Sequence, residues 1–249
     1  MKVDILGVKI DAVTRVEARL KLADFLNGTK GCRVFTPNPE MLVLATRDAE
    51  FKRVLNTADL AIPDGVGLLW AARRSRHCMP ERVAGSDLMH DLIDMAAESG
   101  HSVYLLGGEA GVAREAAARL QADHPRLKVA GTQSGGPIER DTASGKLLLD
   151  GRVLADIKNA KPAILFVAFG HGKQEAWIDQ NLADLPTVHI AMGIGGSFDF
   201  IAGRARRAPK FMRRAGLEWF WRLLTEPWRW RRIWTAVVVF PYLVIKSGR

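Results

Sequence analysis

Apolar residues recur along this chain in two rhythms as far as about residue 200. Short runs rich in Val, Ile, Leu and Phe occupy Arg33–Thr36, Leu60–Ile62, Val103–Leu106, Leu127–Ala130, Ile164–Phe169 and Val188–Met192. Runs of this length, bounded by Gly, Pro or polar residues, predict buried strands. Between them lie helix-length stretches with three- and four-residue apolar spacing. Thr14-Arg-Val-Glu17 is a capping box that opens a helix running to about Asn27, and Ser86 or Asp87 is placed to cap a second that ends before Gly100. Glu109–Asp123 and Lys173–Leu182 read as two more. Strand and helix in alternation predict parallel βαβ units, hence an α/β layered sheet. No internal repeat is present. The one compositional break falls at Ala202–Arg207, which divides the chain into an α/β core over residues 1–203 and an appendage over residues 204–249.

Charge changes the picture at that break. The formal net charge is +9, and the appendage holds twelve Lys and Arg against only Glu218 and Glu226, so the core before it is close to neutral. Five of the 7 Trp also sit there: Trp219, Trp221, Trp228, Trp230 and Trp234. Guanidinium groups reach phosphate, while indoles favour the boundary between water and an apolar layer. The combination fits an anionic membrane surface. Nucleic acid is the competing partner for a basic stripe, but the aliphatic run Thr235–Ile245 suits an interfacial helix better. That run is shorter than the roughly 20 residues a spanning helix needs, and Pro241 interrupts it. The start of the chain lacks the basic end and apolar core of a secretory leader. Cys32 and Cys78 lie in unrelated contexts, as expected of reduced thiols in a cytosolic protein.

The candidate chemistry gathers at the predicted strand ends. TPNPE (36–40), PDG (63–65), GGE (107–109), GHGKQE (170–175) and GIGGSFD (193–199) all fall there. Ligands of open α/β sheets bind beyond the carboxyl ends of the strands, and glycine turns let backbone N–H groups approach phosphate. A nucleotide or nucleotide-sugar crevice is the favoured reading; five ordinary βα turns are the plain one. Asp64, on the Pro-Asp-Gly turn, is placed to take a proton from an attacking hydroxyl, or else to close a turn or cap a helix. Thr36 and Asn38 are placed either to bind a sugar or base, or to cap the helix near Pro39. Arg82 reads as a phosphate ligand or a surface cation. Lys173, Gln174 and Glu175 fall on a first helical turn, where Lys opposes the helix dipole. His171 alone carries little information. Arg222, Arg229 and Arg232 share one helix face if the turn at Pro227 is gentle, with Pro227 as the first residue of a new helix capped by Glu226 or Thr225.

Several signatures are missing. The chain has no GxxxxGK[ST], no HExxH, no CxxC, no early dinucleotide fingerprint and no pair of aspartates two apart. No cofactor and no metal site is therefore expected, and positive side chains are left to neutralise any diphosphate.

Taken in order, TPN-x-E, PDG, RV-x-G-x-D, KQE-x-W, GG-x-FD-x-x-AG, RAP and LEW-x-x-R-x-x-x-EP-x-R resemble the motifs of the WecG/TagA/CpsF glycosyltransferases, glycosyltransferase family 26, from about residue 3 to 232. The resemblance implies a Rossmann-like α/β core, helices on both faces of a parallel sheet, and a C-terminal helical appendage that docks on the membrane. It implies inverting, metal-independent transfer from a UDP-sugar to a polyprenol-diphosphate-linked sugar in bacterial envelope glycan synthesis. The place implied is the cytoplasmic face of the inner membrane, peripherally bound and without nucleic acid; assembly as a homo-oligomer is left open. By position, Asp64 becomes the general base. Thr36, Asn38, Arg82, Gln174 and Glu175 become substrate-binding, and Arg222, Arg229 and Arg232 bind the diphosphate. One departure stands out: the family has Pro before Lys-Gln-Glu, and Gly172 stands there in this chain. The residues after 232 lie beyond the shared motif. The alternative from another class is a non-catalytic α/β protein that docks on membrane or nucleic acid.

Overall fold

A computed structural model describes residues 1–141 and 147–247 of the chain. Its centre is a six-stranded, wholly parallel sheet built from β3 (Cys32–Phe35), β4 (Leu60–Ala61), β5 (Ser102–Gly107), β6 (Lys128–Gln133), β9 (Ile164–Ala168) and β10 (Ile190–Gly193), in the order β4-β3-β10-β9-β5-β6. All six predicted strands are present within a few residues. Successive side chains of a strand point to opposite faces, so each central strand feeds two cores. Leu165, Val167 and Ala191 face one, whereas Ile164, Phe166, Ile190 and Met192 face the other.

The first core is closed by α2 (Pro39–Arg47), α3 (Ala49–Asn56), α4 (Val66–Arg74), α7 (Gly151–Ala160) and α8 (Lys173–Asn181). The second is closed by α1 (Arg15–Asn27), α5 (Gly85–Ser99), α6 (Val112–Asp123) and the short α9 (Ser197–Ile201). Thr14 and Glu17 form the predicted capping box of α1. The start of α5 differs from expectation. The helix begins at Gly85, ahead of Ser86 and Asp87, and its N-cap Ala84 has no side-chain oxygen to offer; Asp64 accepts the Gly85 N–H instead, at 3.3 Å.

Two antiparallel pairs were not predicted: β1 (Lys2–Ile5) with β2 (Val8–Asp11), and β7 (Glu139–Arg140) with β8 (Leu147–Leu148). The first is joined by Leu6-Gly7, both at positive φ (54° and 85°), as a tight two-residue hairpin turn requires. It is pinned to the sheet by buried Asp11, whose carboxylate accepts the Ala61 N–H at 2.9 Å. Both cysteines are free, Cys32 buried and Cys78 exposed.

After α9 the chain forms α10 (Lys210–Arg214), α11 (Glu218–Thr225), a 3-10 turn (Pro227–Arg229), α12 (Trp230–Trp234), a π-helical turn (Thr235–Val239) and α13 (Phe240–Ser247). The π turn lies just before Pro241, whose ring would clash with a carbonyl four residues back in a regular helix. There the Phe240 N–H bonds to the Thr235 carbonyl, five residues back. Phe240 and Val244 are buried in the first core. Gly67 makes room for that contact, because a Cβ there would lie 2.9 Å from Pro39 and 3.5 Å from the Phe240 ring. No helix of the described residues is long and apolar enough to cross a membrane. Arg249, one of the appendage's cations, lies outside the described residues.

Candidate active site

Beyond the carboxyl end of β3, Thr36 is almost fully buried and packs directly against the start of α5. A Cβ at Gly85 would sit only 2.8 Å from the Thr36 methyl group. Asn38 caps α2, its Oδ1 accepting the Met41 N–H at 3.0 Å, with Pro39 as the first helical residue. Capping is thus what the Asn38 oxygen does; its amide nitrogen is the end left for other partners.

Asp64 follows β4 on a turn fixed by two constraints. Its N–H bonds to the Pro37 carbonyl at 3.0 Å, and Gly65 takes φ 116°, a value a side chain would make strained. The residue keeps some accessible surface, but its carboxylate is closely surrounded by protein. Burial pushes its pKa up to about 6; the Arg82 charge and the Gly85 N–H pull the other way, Glu218 adds to the rise, and Arg222 opposes it. Asp64 is therefore a stronger base than an ordinary carboxylate, with two guanidinium groups in its electrostatic reach.

The appendage folds back over this end of the sheet through ion pairs. Arg82 donates to Glu218 of α11 at 3.2 Å, so it is a partner of the appendage rather than a surface cation. Arg207 donates to Asp87 at 2.6 Å and lies 3.9 Å from Glu218. Arg222 lies over the Phe200 ring, 5.1 Å from its centroid. Arg232 of α12 donates to Glu40 at 2.8 Å and, through its other arm, to His171 Nδ1 at 3.0 Å. Burial lowers the His171 pKa, and the charges of Arg232 and Arg229 lower it further although Glu40 opposes them. A neutral imidazole can accept that bond. Arg229 is ion-paired with Glu226; nearby, burial raises the Asp199 pKa and Glu109 adds to the rise, while Arg204 and Arg229 oppose it.

The expected single stripe of arginines is corrected by the turn at Glu226. That residue leaves helical geometry (φ −134°, ψ 64°), and Pro227 opens a 3-10 turn with no side-chain cap from Glu226 or Thr225. Arg222, Arg229 and Arg232 therefore stand on three separate elements. Of the three, Arg222 acts on Asp64, whereas Arg229 and Arg232 gather around His171, beyond the ends of β3 and β9.

Gln174 and Glu175 lie beneath the site rather than in its open space. They are 2% and 0% exposed. Gln174 Oε1 accepts the Gly195 N–H at 3.0 Å, and its Nε2 donates to Glu175 at 2.7 Å. Glu175 Oε2 takes the Gly172 N–H at 2.7 Å. Burial pushes the Glu175 pKa up to about 7, against the bonds it accepts from Gln174 and Gly172. A Cβ at Gly193 would meet Gln174 Nε2 at 2.8 Å, so only glycine allows this approach. The pair holds the Gly193–Gly196 loop in shape. His171 and Glu40 were the residues sequence reasoning left unassigned, and the E of TPN-x-E was the available signal for Glu40.

A cleft of about 770 Å³ opens beside Arg82, between α4, residues 81–84 and α10. Among the described residues, no group of three or more His, Cys, Asp or Glu could hold a metal ion.

Comparison with known sequences narrows what a carboxylate and arginines at the carboxyl edge of a parallel sheet do in this chain. Residues 3–249 match a family described as the Glycosyl transferase WecG/TagA/CpsF family. The chain belongs to that family. It is a glycosyltransferase, which sets aside the non-catalytic alternative, and the match runs through the appendage to residue 249 rather than stopping near residue 232. The chain is similar to a Bacillus subtilis (strain 168) protein, 32% identical over 219 residues, covering 88% of this chain and 81% of that one. It is 35% identical over 226 residues to a Bacillus spizizenii protein (90% and 83% covered), and 30% identical over 252 residues to one from Staphylococcus aureus strain NCTC 8325 (100% and 94%). All three relatives carry the name N-acetylglucosaminyldiphosphoundecaprenol N-acetyl-beta-D-mannosaminyltransferase.

Proposed function

We propose that this glycosyltransferase moves N-acetylmannosamine, or a sugar close to it, from a UDP donor onto a polyprenol-diphosphate-linked N-acetylglucosamine. Asp64 takes the proton of an acceptor hydroxyl, and the freed oxygen attacks the donor C1 from the face opposite UDP. The bond from C1 to the β-phosphate oxygen breaks, and its electron pair leaves on UDP, giving one inversion. Arg222, Arg229 and Arg232 stabilise the charge that develops on the leaving diphosphate, without a divalent ion. Preorganised guanidinium groups suit that task because they bind phosphate oxygens through paired, charge-assisted bonds. Thr36, Arg82 and the amide of Asn38 face the sugars, while Gln174 and Glu175 shape the glycine loop behind them.

The observation that carries this reading is Asp64 itself. Its carboxylate is desolvated, raised to about 6 and flanked by Arg82 and Arg222, at the end of the sheet where the appendage closes over. A base of that strength is mostly ionised near neutral pH yet well matched to proton abstraction.

The division at residue 203 gives the appendage a second task, holding the enzyme peripherally on the anionic cytoplasmic face of a membrane. Support comes from its exposed apolar groups, among them Phe211, Trp228, Trp230, Trp234 and Tyr242, interleaved with cations. The test is UDP release from UDP-N-acetylmannosamine with a short-chain prenyl-diphospho-N-acetylglucosamine as acceptor. Release that depends on both substrates is expected; release independent of the acceptor, or none with any UDP-sugar, rejects the reading.

A further inference from the structure

The reaction proposed above contains two diphosphates, one leaving with UDP and one tethering the acceptor to its lipid. Arg222, Arg229 and Arg232 account for the first. We propose that the cleft between α4 and α10 binds the other, holding the acceptor's diphosphate together with the first apolar unit of its prenyl chain. This rests on the transfer reaction assigned above.

The two walls of the cleft differ in chemistry. Val66 and Leu69 of α4 form an apolar side, whereas Lys210 and Arg213 of α10 form a cationic one, with Arg82 and Arg15 completing the lining; Arg15 is held by Asp91, Arg82 by Glu218, and Arg213 stands 3.8 Å from Asp87. The carboxylates in the lining are already engaged. Glu81 accepts the Arg15 backbone N–H, and Asp87 accepts from Arg207 at 2.6 Å. Lys210 is exposed and has no ion-pair partner among the described residues, so its charge is available to a ligand. Cations opposite an aliphatic wall match a ligand whose diphosphate is joined directly to a hydrocarbon.

Position supports the same assignment. Val66 is two residues from Asp64, and Arg82, which lines the cleft, acts on the Asp64 carboxylate. The attacked hydroxyl and the diphosphate are on different carbons of the acceptor sugar. A sugar with its hydroxyl at Asp64 would therefore point its diphosphate toward a site nearby rather than onto Asp64. Next along the chain from the two walls, Trp70 and Phe211 are exposed, so apolar groups continue outward from the cleft for the rest of the chain. None of Arg222, Arg229 and Arg232 lines this cleft, which makes the two cationic groups separate sites.

The test compares the full-length enzyme with Lys210→Glu, Arg213→Gln and a matched control, Lys158→Glu, an exposed lysine on α7. Each is assayed with a short-chain prenyl-diphospho-N-acetylglucosamine and with octyl N-acetylglucosaminide, which lacks the diphosphate. Losing a charged bond to phosphate should raise the KM of Lys210→Glu for the first acceptor about tenfold or more. Its donor KM and its kinetics on the octyl glycoside should stay unchanged, Arg213→Gln should move the same way, and Lys158→Glu should match wild type. An unchanged KM in Lys210→Glu, or an equal rise on the octyl glycoside, would overturn the proposal. Calorimetric titration with farnesyl diphosphate alone separates the two readings. Binding that Lys210→Glu abolishes, in a protein that transfers no sugar, supports the cleft and sinks the transfer reaction. Transfer that Lys210→Glu leaves untouched does the reverse.

Discussion

At the scale of single residues, Asp64 separates a catalytic role from a structural one. Removing a general base typically costs about 10²–10⁴-fold in rate, so Asp64→Asn should lose kcat on that order while donor affinity holds. The Asn oxygen can still accept the Gly85 N–H that Asp64 accepts now, and the variant should fold. Its stability carries a sign. The folded pKa of about 6 stands above the ordinary 3.8, so Asp64 favours the fold at acidic pH and loses that contribution as pH rises through about 6. Neutralising it should leave the melting temperature at pH 7.5 unchanged or higher, whereas a turn-forming Asp would show a lower one. In wild type, kcat/KM should climb with pH through about 6 and then level off, since the base must be ionised. A rising limb that persists in Asp64→Asn would assign the titration to another group.

Elements show which parts of the molecule were legible in advance. The inner strands β5, β9 and β10 were readable because both faces are buried, which makes each a short, continuous apolar run, whereas the edge strand β6 is only partly buried. The β1–β2 hairpin was not readable, although Val3, Ile5, Val8 and Ile10 alternate with exposed Lys2, Asp4 and Lys9. Its turn uses Leu6-Gly7 rather than Asn-Gly, and the non-glycine positive φ at Leu6 leaves no local signature. At the site, Thr36 and Asp64 were visible from their place at strand ends, whereas Arg82, in the loop before α5, was singled out only by the family motif. The burial of Gln174 and Glu175 was not visible, because it depends on how closely β10 approaches α8. That approach is testable. Gln174→Ala strips the Gly195 N–H and a Glu175 oxygen of their partners, and leaving buried polar groups unpaired costs about 1–3 kcal/mol each. Urea denaturation should show a loss of that order together with reduced turnover. Full stability in Gln174→Ala would return Gln174 to the role of a direct substrate ligand. The separation of Arg222, Arg229 and Arg232 was equally hidden, since spacing alone does not reveal the break at Glu226.

For the whole molecule, the balance of charge between core and appendage makes two predictions. The first concerns the leaving diphosphate. If arginines replace a divalent ion, UDP release should continue after dialysis against EDTA, and complete loss restored by Mg²⁺ or Mn²⁺ would reject that account. The second concerns the appendage, where the fold dictates how its two proposed tasks can be separated. Deleting residues 233–249 would remove Phe240 and Val244 from the core along with the exposed groups, and truncating a buried Phe alone costs about 3–5 kcal/mol. Such a deletion would confuse unfolding with undocking. The outward face offers a cleaner change, because Trp228, Trp230 and Trp234 are exposed and leave the core contacts intact when replaced by Ser. Lys and Arg near an anionic leaflet contribute on the order of 1 kcal/mol each, but on the proposed docking the aromatic groups would supply the apolar contact that keeps the protein at the interface. The triple Trp→Ser variant should sediment poorly with anionic liposomes, transfer sugar normally to a water-soluble acceptor, and fail on a long-chain lipid. Arg222→Gln should behave in the opposite way, with membrane binding retained and turnover lost on both acceptors. If Arg222→Gln turned over the soluble acceptor like wild type while losing liposome binding, Arg222 would belong to the membrane face. The charge on UDP would then need another source of stabilisation.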